Sequence, residues 1–296
     1  MSIATMDNSV VSKVKSAFGF SVDRFPLAGP EGMRTPWYAL FRSDTHDVVG
    51  QGSVSQRYVP HTTDDVLALV EAASAAFDGV ADVQCGFRNG HLVCIQPTVE
   101  HRKAVYGTAD NVFPRVIIHA GYGGQAFKAS MGYWRDACSN MHIMRQTKGT
   151  TVSIWHTGGL RSEMDTLIGQ FSTLKESWGS LSALIESMEG RQVQMVEFLN
   201  AVYGEPKRDE GRAATIHRNR TEAIFRRLQN ERVKTGRPTM GNDFQVSAWE
   251  AFNAVQGFVQ HEASRQRRPD EMGRVIRSLR DGAVRRAERI ALEMAV

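Results

Sequence analysis

The sequence predicts an α+β fold: an antiparallel, curved sheet domain over residues 1–160, then a helical region over residues 161–296 with one long coiled-coil-like helix. Three observations lead there. The first 160 residues are mostly strand-like runs and the remainder is helical throughout, which argues against a wound parallel sheet. Asn89-Gly90, a dipeptide suited to a two-residue hairpin turn, separates two alternating apolar runs. Finally, Met164, Leu167, Phe171, Leu174, Trp178, Leu181, Ile185 and Met188 follow one another at spacings of 3, 4, 3, 4, 3, 4 and 3, a 3.5-residue period that makes a coiled-coil-like seam.

Taken in order, Val10–Phe18 reads as a short helix. Trp37–Arg42 and Val48–Gln56 read as strands joined near Asp44–Asp47. Thr63-Asp64-Asp65 starts a helix, because side-chain oxygens there can accept from its orphan N–H groups. Its apolar stripe is Val66, Leu67, Leu69, Val70, Ala73 and Phe77. In the hairpin that follows, a loop of Asn89-Gly90 pairs Arg88 with His91, Phe87 with Leu92 and Cys85 with Cys94. That register sets the two cysteines face to face on the core side, reduced, with a metal or redox role as the alternative to packing. Strands follow at Val112–His119, Gln125–Trp134 and Thr150–Trp155. Gly121-Tyr122-Gly123-Gly124 is a hairpin turn and not a phosphate loop, since neither Gly-Lys-Ser/Thr nor a helix start follows.

The seam helix starts near Ser162 and stops at Gly190. Its stripe needs cover from another helix or from a second subunit. Further helices are expected over about 192–202 and 209–234, from 242 or 243 onward, and from Pro269, a favourable first-turn residue, to the end. Gly204–Arg212, rich in charge with Gly and Pro, reads as a linker.

Composition bounds the function. The chain has 296 residues, 36 Lys+Arg against 32 Asp+Glu, 42% apolar residues and three cysteines. Those proportions exclude a disordered, collagenous or disulfide-framework protein. No apolar run reaches the roughly 18 residues of a membrane span, and the first ten residues lack a signal-peptide layout, so no membrane partner is expected. Charge is uneven: residues 201–296 hold 19 Lys+Arg against 13 Asp+Glu, with Arg dominant. A second basic set, mixed with aromatics, lies in the sheet half: Arg115, Lys128, Tyr133, Trp134, Arg135, Arg145 and Lys148. Cations beside flat rings are what single-stranded nucleic acid requires. Both sets have a plainer reading as solvated faces and core aromatics. His142 and His156 near Cys138 could be drawn as a catalytic or metal cluster, but no enzyme motif supports it. The expectation is a non-enzyme without cofactors.

Three segments resemble the phage/plasmid-like protein family, a family of unknown function. They are Gln56-Arg57-Tyr58-Val59-Pro60 leading into a helix; Arg135-x-x-Cys138-x-Asn140 with His156 on the next strand; and Trp249-x-x-Phe252-Asn253-Ala254-Val255 with His261 downstream. The likeness runs from about Pro36 to Arg268. It departs at Gly123-Gly124, where Asp-Gly is usual, and at Thr62-Thr63, where Asn is common. The family's setting in mobile elements and its sheet-then-helix layout are similar to those of RecT/Redβ/Erf-type single-strand annealing proteins. This implies a single-stranded DNA-binding or annealing protein of recombination or replication, working without ATP as a ring or filament of identical subunits in the bacterial host cytoplasm. Under that implication Lys128, Arg135, Arg145 and Lys148 contact phosphates, Tyr133 or Trp134 stacks on bases, and Arg57 and Tyr58 stand next in rank. The Arg135/Cys138/Asn140/His156 set has a structural alternative, in which Asn and His tie adjacent strands by hydrogen bonds. Two rival functions remain: an interaction protein that binds an acidic partner through its basic helices, and a metal-dependent hydrolase or nuclease.

Overall fold

A computed structural model describes residues 7–87, 90–97, 103–105, 109–138, 140–142, 151–154, 160–206, 210–241, 244–263 and 271–295. It is an α+β protein whose sheets are antiparallel. Two compact units interleave along the chain. The first is Met1–His101, Pro114–Gly132 and Lys148–Trp178; the second is Arg102–Phe113, Tyr133–Thr147 and Gly179–Val296.

The first unit opens with helix α1 (Asn8–Ala17), whose Asp7 side chain accepts from Ser9 N–H at 2.9 Å and caps the first turn. Strands β1 (Val22–Ala28), β2 (Arg34–Arg42) and β3 (Val48–Ser55) form a three-stranded meander. Val22, Leu40, Val49, Val54, Tyr58 and Tyr122 make one apolar cluster against it. The sequence reading missed β1, since an edge strand exposed along nearly all its length and carrying Pro26 has no alternation to detect. Helix α2 (Thr63–Ala76) begins with a reciprocal cap, the Thr62 hydroxyl accepting from Asp65 N–H while the Asp65 carboxylate accepts from Thr62 N–H.

The larger sheet of this unit runs in the order β10 (Thr151–Ile154), β8 (Phe127–Arg135), β7 (Asn111–Gly121), β5 (Gly90–Pro97), β4 (Val80–Phe87). The hairpin register differs from expectation by one residue. Phe87 pairs with His91 and Cys85 with Val93, while Cys94 pairs with Gln84, so the cysteines lie on opposite faces of the ribbon. The reason lies in Gly90, which is a strand residue pressed against β7: a Cβ there would overlap the Ala120 carbonyl and sit 2.6 Å from Gly121 Cα. Close backbone approach, and not a turn conformation, requires glycine at this position. Cys94 is buried, and burial pushes the half-buried Cys85 thiol up to about 11.

Beside β5, His61 Nε2 and His91 Nδ1 are 2.8 Å apart, and the Tyr122 hydroxyl donates to His61 O at 2.9 Å. Burial, and then the Arg42 charge, lower the His91 pKa to about 4. Unfolded histidine titrates near 6.5, so the unfolded chain binds the extra proton between those values. The contribution is complete above about pH 6.5 and lost as pH falls towards 4. Thermal unfolding across that window is expected to show a melting temperature that declines on acidification, with a shallower decline for His91→Gln. Equal slopes in both proteins would contradict this.

The seam residues are buried as expected, from Met164 at 5% exposure to Met188 at 0%, with Trp178 half-buried. The single long helix is not there. The chain forms α3 (Leu160–Gly169) and α4 (Phe171–Gly190), broken at Gln170. Gly169 ends α3 and the Ser172 hydroxyl donates back to its carbonyl at 3.4 Å, which offers the backbone an alternative to continued helix. Because the stripe is covered within one chain, it does not call for a second subunit.

In the second unit, β6 (Lys103–Ala104) pairs with the start of β7 and β9 (Asn140–His142) with the end of β8. Strands β11 (Gln192–Gln194) and β12 (Gln245–Ser247) form a small ladder. Helices α5 (Met195–Tyr203), α6 (Arg212–Lys234), α7 (Ala248–His261), α8 (Glu271–Arg280) and α9 (Gly282–Ala295) make up the rest. Helix α7 is central: every residue from Ala248 to Gly257 is buried. The final helix expected from Pro269 onward is divided in two, since the Asp281 carboxylate accepts from Ala283 N–H (2.7 Å) and Val284 N–H (3.3 Å) and starts α9. No helix among the described residues is long and apolar enough to cross a membrane.

Candidate nucleic-acid interface

The described residues among those singled out from the sequence are divided between the two units and between surface and core. In the first unit Lys128 is exposed on β8 and Arg57 is exposed after β3. Tyr58 is buried, its hydroxyl accepting from Gly123 N–H at 3.3 Å, and burial pushes its pKa up to about 12. In the second unit Tyr133 is fully buried, 5.1 Å from the Trp249 ring, and its hydroxyl donates to Asn253 Oδ1 at 3.4 Å. Trp134 is half-buried and packs on Phe113 at 5.5 Å. Arg145, Lys148 and His156 lie outside the described residues.

Arg135 departs most from expectation. It is 1% exposed. Its Nε donates to both Asp110 oxygens at 2.9 and 2.7 Å, and one terminal nitrogen donates to Glu231 Oε2 at 2.5 Å. A guanidinium buried between two carboxylates is shielded from a phosphate in solvent. Its role is to pair with Asp110 and Glu231 inside the unit and tie β8 to α6. Cys138 Sγ is 3.6 Å from the same terminal nitrogen, yet burial outweighs the nearby cation and holds the thiol up at about 12, which makes it a poor nucleophile.

Segments far apart in sequence meet around this pair. Asn140 Nδ2 donates to Asn253 O at 3.0 Å, so Asn140 Oδ1 faces the donors: Arg227 at 3.2 Å and His261 Nε2 at 3.2 Å. Thus Asn140 ties β9 to α6 and α7; the alternative of an Asn–His tie between adjacent strands involves His156, which lies outside the described residues. Burial, followed by the Arg227 and Arg274 charges, depresses the His261 pKa to about 4, leaving the ring neutral at pH 7. Two glutamines of α7 supply the partners an edge strand lacks: Gln260 Oε1 accepts from Met141 N–H at 3.2 Å and Gln256 Nε2 donates to Met141 O at 3.0 Å. His142 Nε2 lies 3.2 Å from Glu288, both buried. The signal for this network was in the sequence. Glu250, Asn253, Gln256 and Gln260 recur at helical spacing on an otherwise apolar helix, which marks a polar stripe turned inward. Asp110 and Glu231 gave no comparable signal, because nothing local distinguishes a buried acid from a surface one.

Arg227 needs Gly257. A Cβ at Gly257 would lie 2.6 Å from the guanidinium carbon. Arg227 cannot easily yield, since its nitrogens reach Glu231 (2.8 Å), Glu262 (3.1 Å) and Asn140 (3.2 Å). Gly257→Ala is expected to cost about 1–3 kcal/mol in urea unfolding, as overpacking does. A variant as stable as the natural chain would show that Arg227 is free to move.

Outside this core the basic residues are differently placed. Arg212, Arg218, Arg226 and Lys234 on α6 are exposed, as is Arg280 on α8, while Arg274 and Arg277 of α8 are half-buried. None of the seven has a carboxylate within ion-pair distance among the described residues, whereas Arg135, Arg227, Arg232 and Arg237 all do. A cleft of about 510 Å³ opens beside them, lined by Arg226, Arg227, Lys234, His261, Glu262 and Arg274, with Cys138 and Glu231 deeper in.

A family model described as a domain of unknown function (DUF932) matches residues 51–291, most of the chain, and the chain belongs to that family. No curated protein and no solved structure matches it. These comparisons lend no support to a kinship with single-strand annealing proteins or to an origin in phages or plasmids.

Proposed function

We propose that this DUF932 member is a non-enzymatic, single-stranded DNA-binding protein that promotes pairing of complementary strands without ATP, and that its phosphate contacts come from α6 and α8. One observation carries the reading: the second unit sorts its cations into two classes. Arg135, Arg227, Arg232 and Arg237 are spent on internal carboxylates. The seven cations of α6 and α8 named above form no ion pair among the described residues, and Glu222 is the exposed acid on α6. Unpaired arginine donors suit phosphate oxygens and release condensed counterions on binding. Lys128 and Arg57 of the first unit belong to the reading as secondary contacts. Self-association along the strand belongs to it as well, since one protomer's basic surface spans only a few nucleotides.

The experiment is strand pairing followed with two complementary labelled oligonucleotides in the absence of nucleotide triphosphate. Pairing is expected to accelerate with protein at low salt. Lack of both acceleration and binding would set the proposal aside in favour of an acidic protein partner for the same cations.

A further inference from the structure

The geometry points to a discrete phosphoryl-binding site in the cleft between α6, the end of α7 and α8, centred on Arg274, for a ligand that carries a hydroxyl beside its phosphate, as a nucleotide does. The inference deepens the nucleic-acid reading and rests on it for the identity of the ligand. Three features of the cleft lead here.

First, Arg274 Nε is buried and has no hydrogen-bond partner among the described residues, although the side chain as a whole is only half-buried and forms no ion pair with them. A buried guanidinium donor is costly to leave unmade, and an anion is the partner that completes it. Second, the acids of the cleft are already committed. Arg227 holds Glu231 and Glu262 at 2.8 and 3.1 Å, and Arg135 holds Glu231 from within. The surplus charge is that of Arg226, Lys234 and Arg274. Three separate cations match the three non-bridging oxygens of a phosphoryl group better than the two of a carboxylate. Third, His261 brings an acceptor. With Asn140 Oδ1 fixed as acceptor by the Asn140–Asn253 bond, the network assigns the ring proton to Nε2, and Nδ1 of the neutral imidazole carries the lone pair. An acceptor among cations is poorly used by a bare anion and well used by a ligand hydroxyl. The cleft volume of about 510 Å³ is in the range of small-ligand sites.

Calorimetry on the full chain tests the site with adenosine 5′-monophosphate, adenosine and inorganic phosphate. The monophosphate is expected to bind, with adenosine at least about tenfold weaker, since the charge-assisted contacts are lost. Arg274→Gln should weaken the monophosphate by about tenfold or more, Lys234→Gln by less, and Arg289→Gln on α9 not at all. Thermal unfolding of each variant verifies that it is folded; should Arg274→Gln fail, Lys234→Gln carries the test. Oligonucleotides with a 5′-phosphate and with a 5′-hydroxyl then distinguish the source of the group. A preference for the phosphorylated strand that Arg274→Gln erases assigns the site to a strand end, and an effect confined to the monophosphate assigns it to a free nucleotide. Monophosphate binding that is absent at millimolar concentration, or that the folded Arg274→Gln and Lys234→Gln variants leave unchanged, overturns the site. If the monophosphate binds through Arg274 while no oligonucleotide binds, the nucleic-acid reading falls and the site stands. If oligonucleotides bind while the monophosphate does not, the reading stands and the site is removed.

Discussion

Replacing Arg135 by Ala is expected to destabilise the protein by about 3–5 kcal/mol, the cost of removing one partner from a buried ion pair. Two carboxylates would be left behind, Asp110 at 0% and Glu231 at 4% exposure, with their mutual repulsion no longer offset. The loss also opens a cavity beside Cys138 and the Trp249 ring, over which the guanidinium sits at 6.0 Å. Arg135→Lys should recover little, because one ammonium cannot reproduce Nε bonding to Asp110 together with a terminal nitrogen bonding to Glu231. Urea unfolding reads the effect as a fall in midpoint. An Arg135→Ala protein of unchanged stability and reduced affinity for nucleic acid would return Arg135 to the surface role that its place beside Tyr133 and Trp134 implies.

That contrast shows how much of the molecule could be read from the sequence. Periodicity located nearly every long helix and the main strands, because burial of one face leaves a repeating mark. It could not say that the buried seam is made by two helices, since the break at Gln170 preserves the period of the stripe. Asn89-Gly90 gave the hairpin but not its register, because Gly90 serves β7 rather than the turn. The candidate interface was less legible. Arginine in a strand looks the same whether it meets a phosphate or a buried acid, and Asp110 and Glu231, which decide the matter, lie 25 and 96 residues away from Arg135. The basic clusters after residue 201 were visible as composition; which of their members remain unpaired could be known only from the folded chain.

The second large effect concerns those unpaired cations. A variant with Arg218, Arg226, Lys234 and Arg277 all changed to Gln removes four charges that form no internal ion pair among the described residues. Its stability should be nearly that of the natural chain, as surface substitutions usually shift it by within about 0.5 kcal/mol. Its affinity should fall for every sequence tested, since phosphate contacts do not read bases. The Tyr133 ring, fully buried in the second unit, contributes to stability instead of stacking on a base.

The most direct measurement is the dependence of single-stranded oligonucleotide affinity on salt, by fluorescence anisotropy between about 50 and 200 mM, for the natural chain and the four-fold variant. Each phosphate contact contributes about 0.7 to the slope of log K against log salt on a single strand, so four lost contacts should flatten it by roughly 2.8. That result, with melting temperature unchanged, is the one predicted. Identical slopes for the two folded proteins would contradict the assignment of phosphate contacts to α6 and α8.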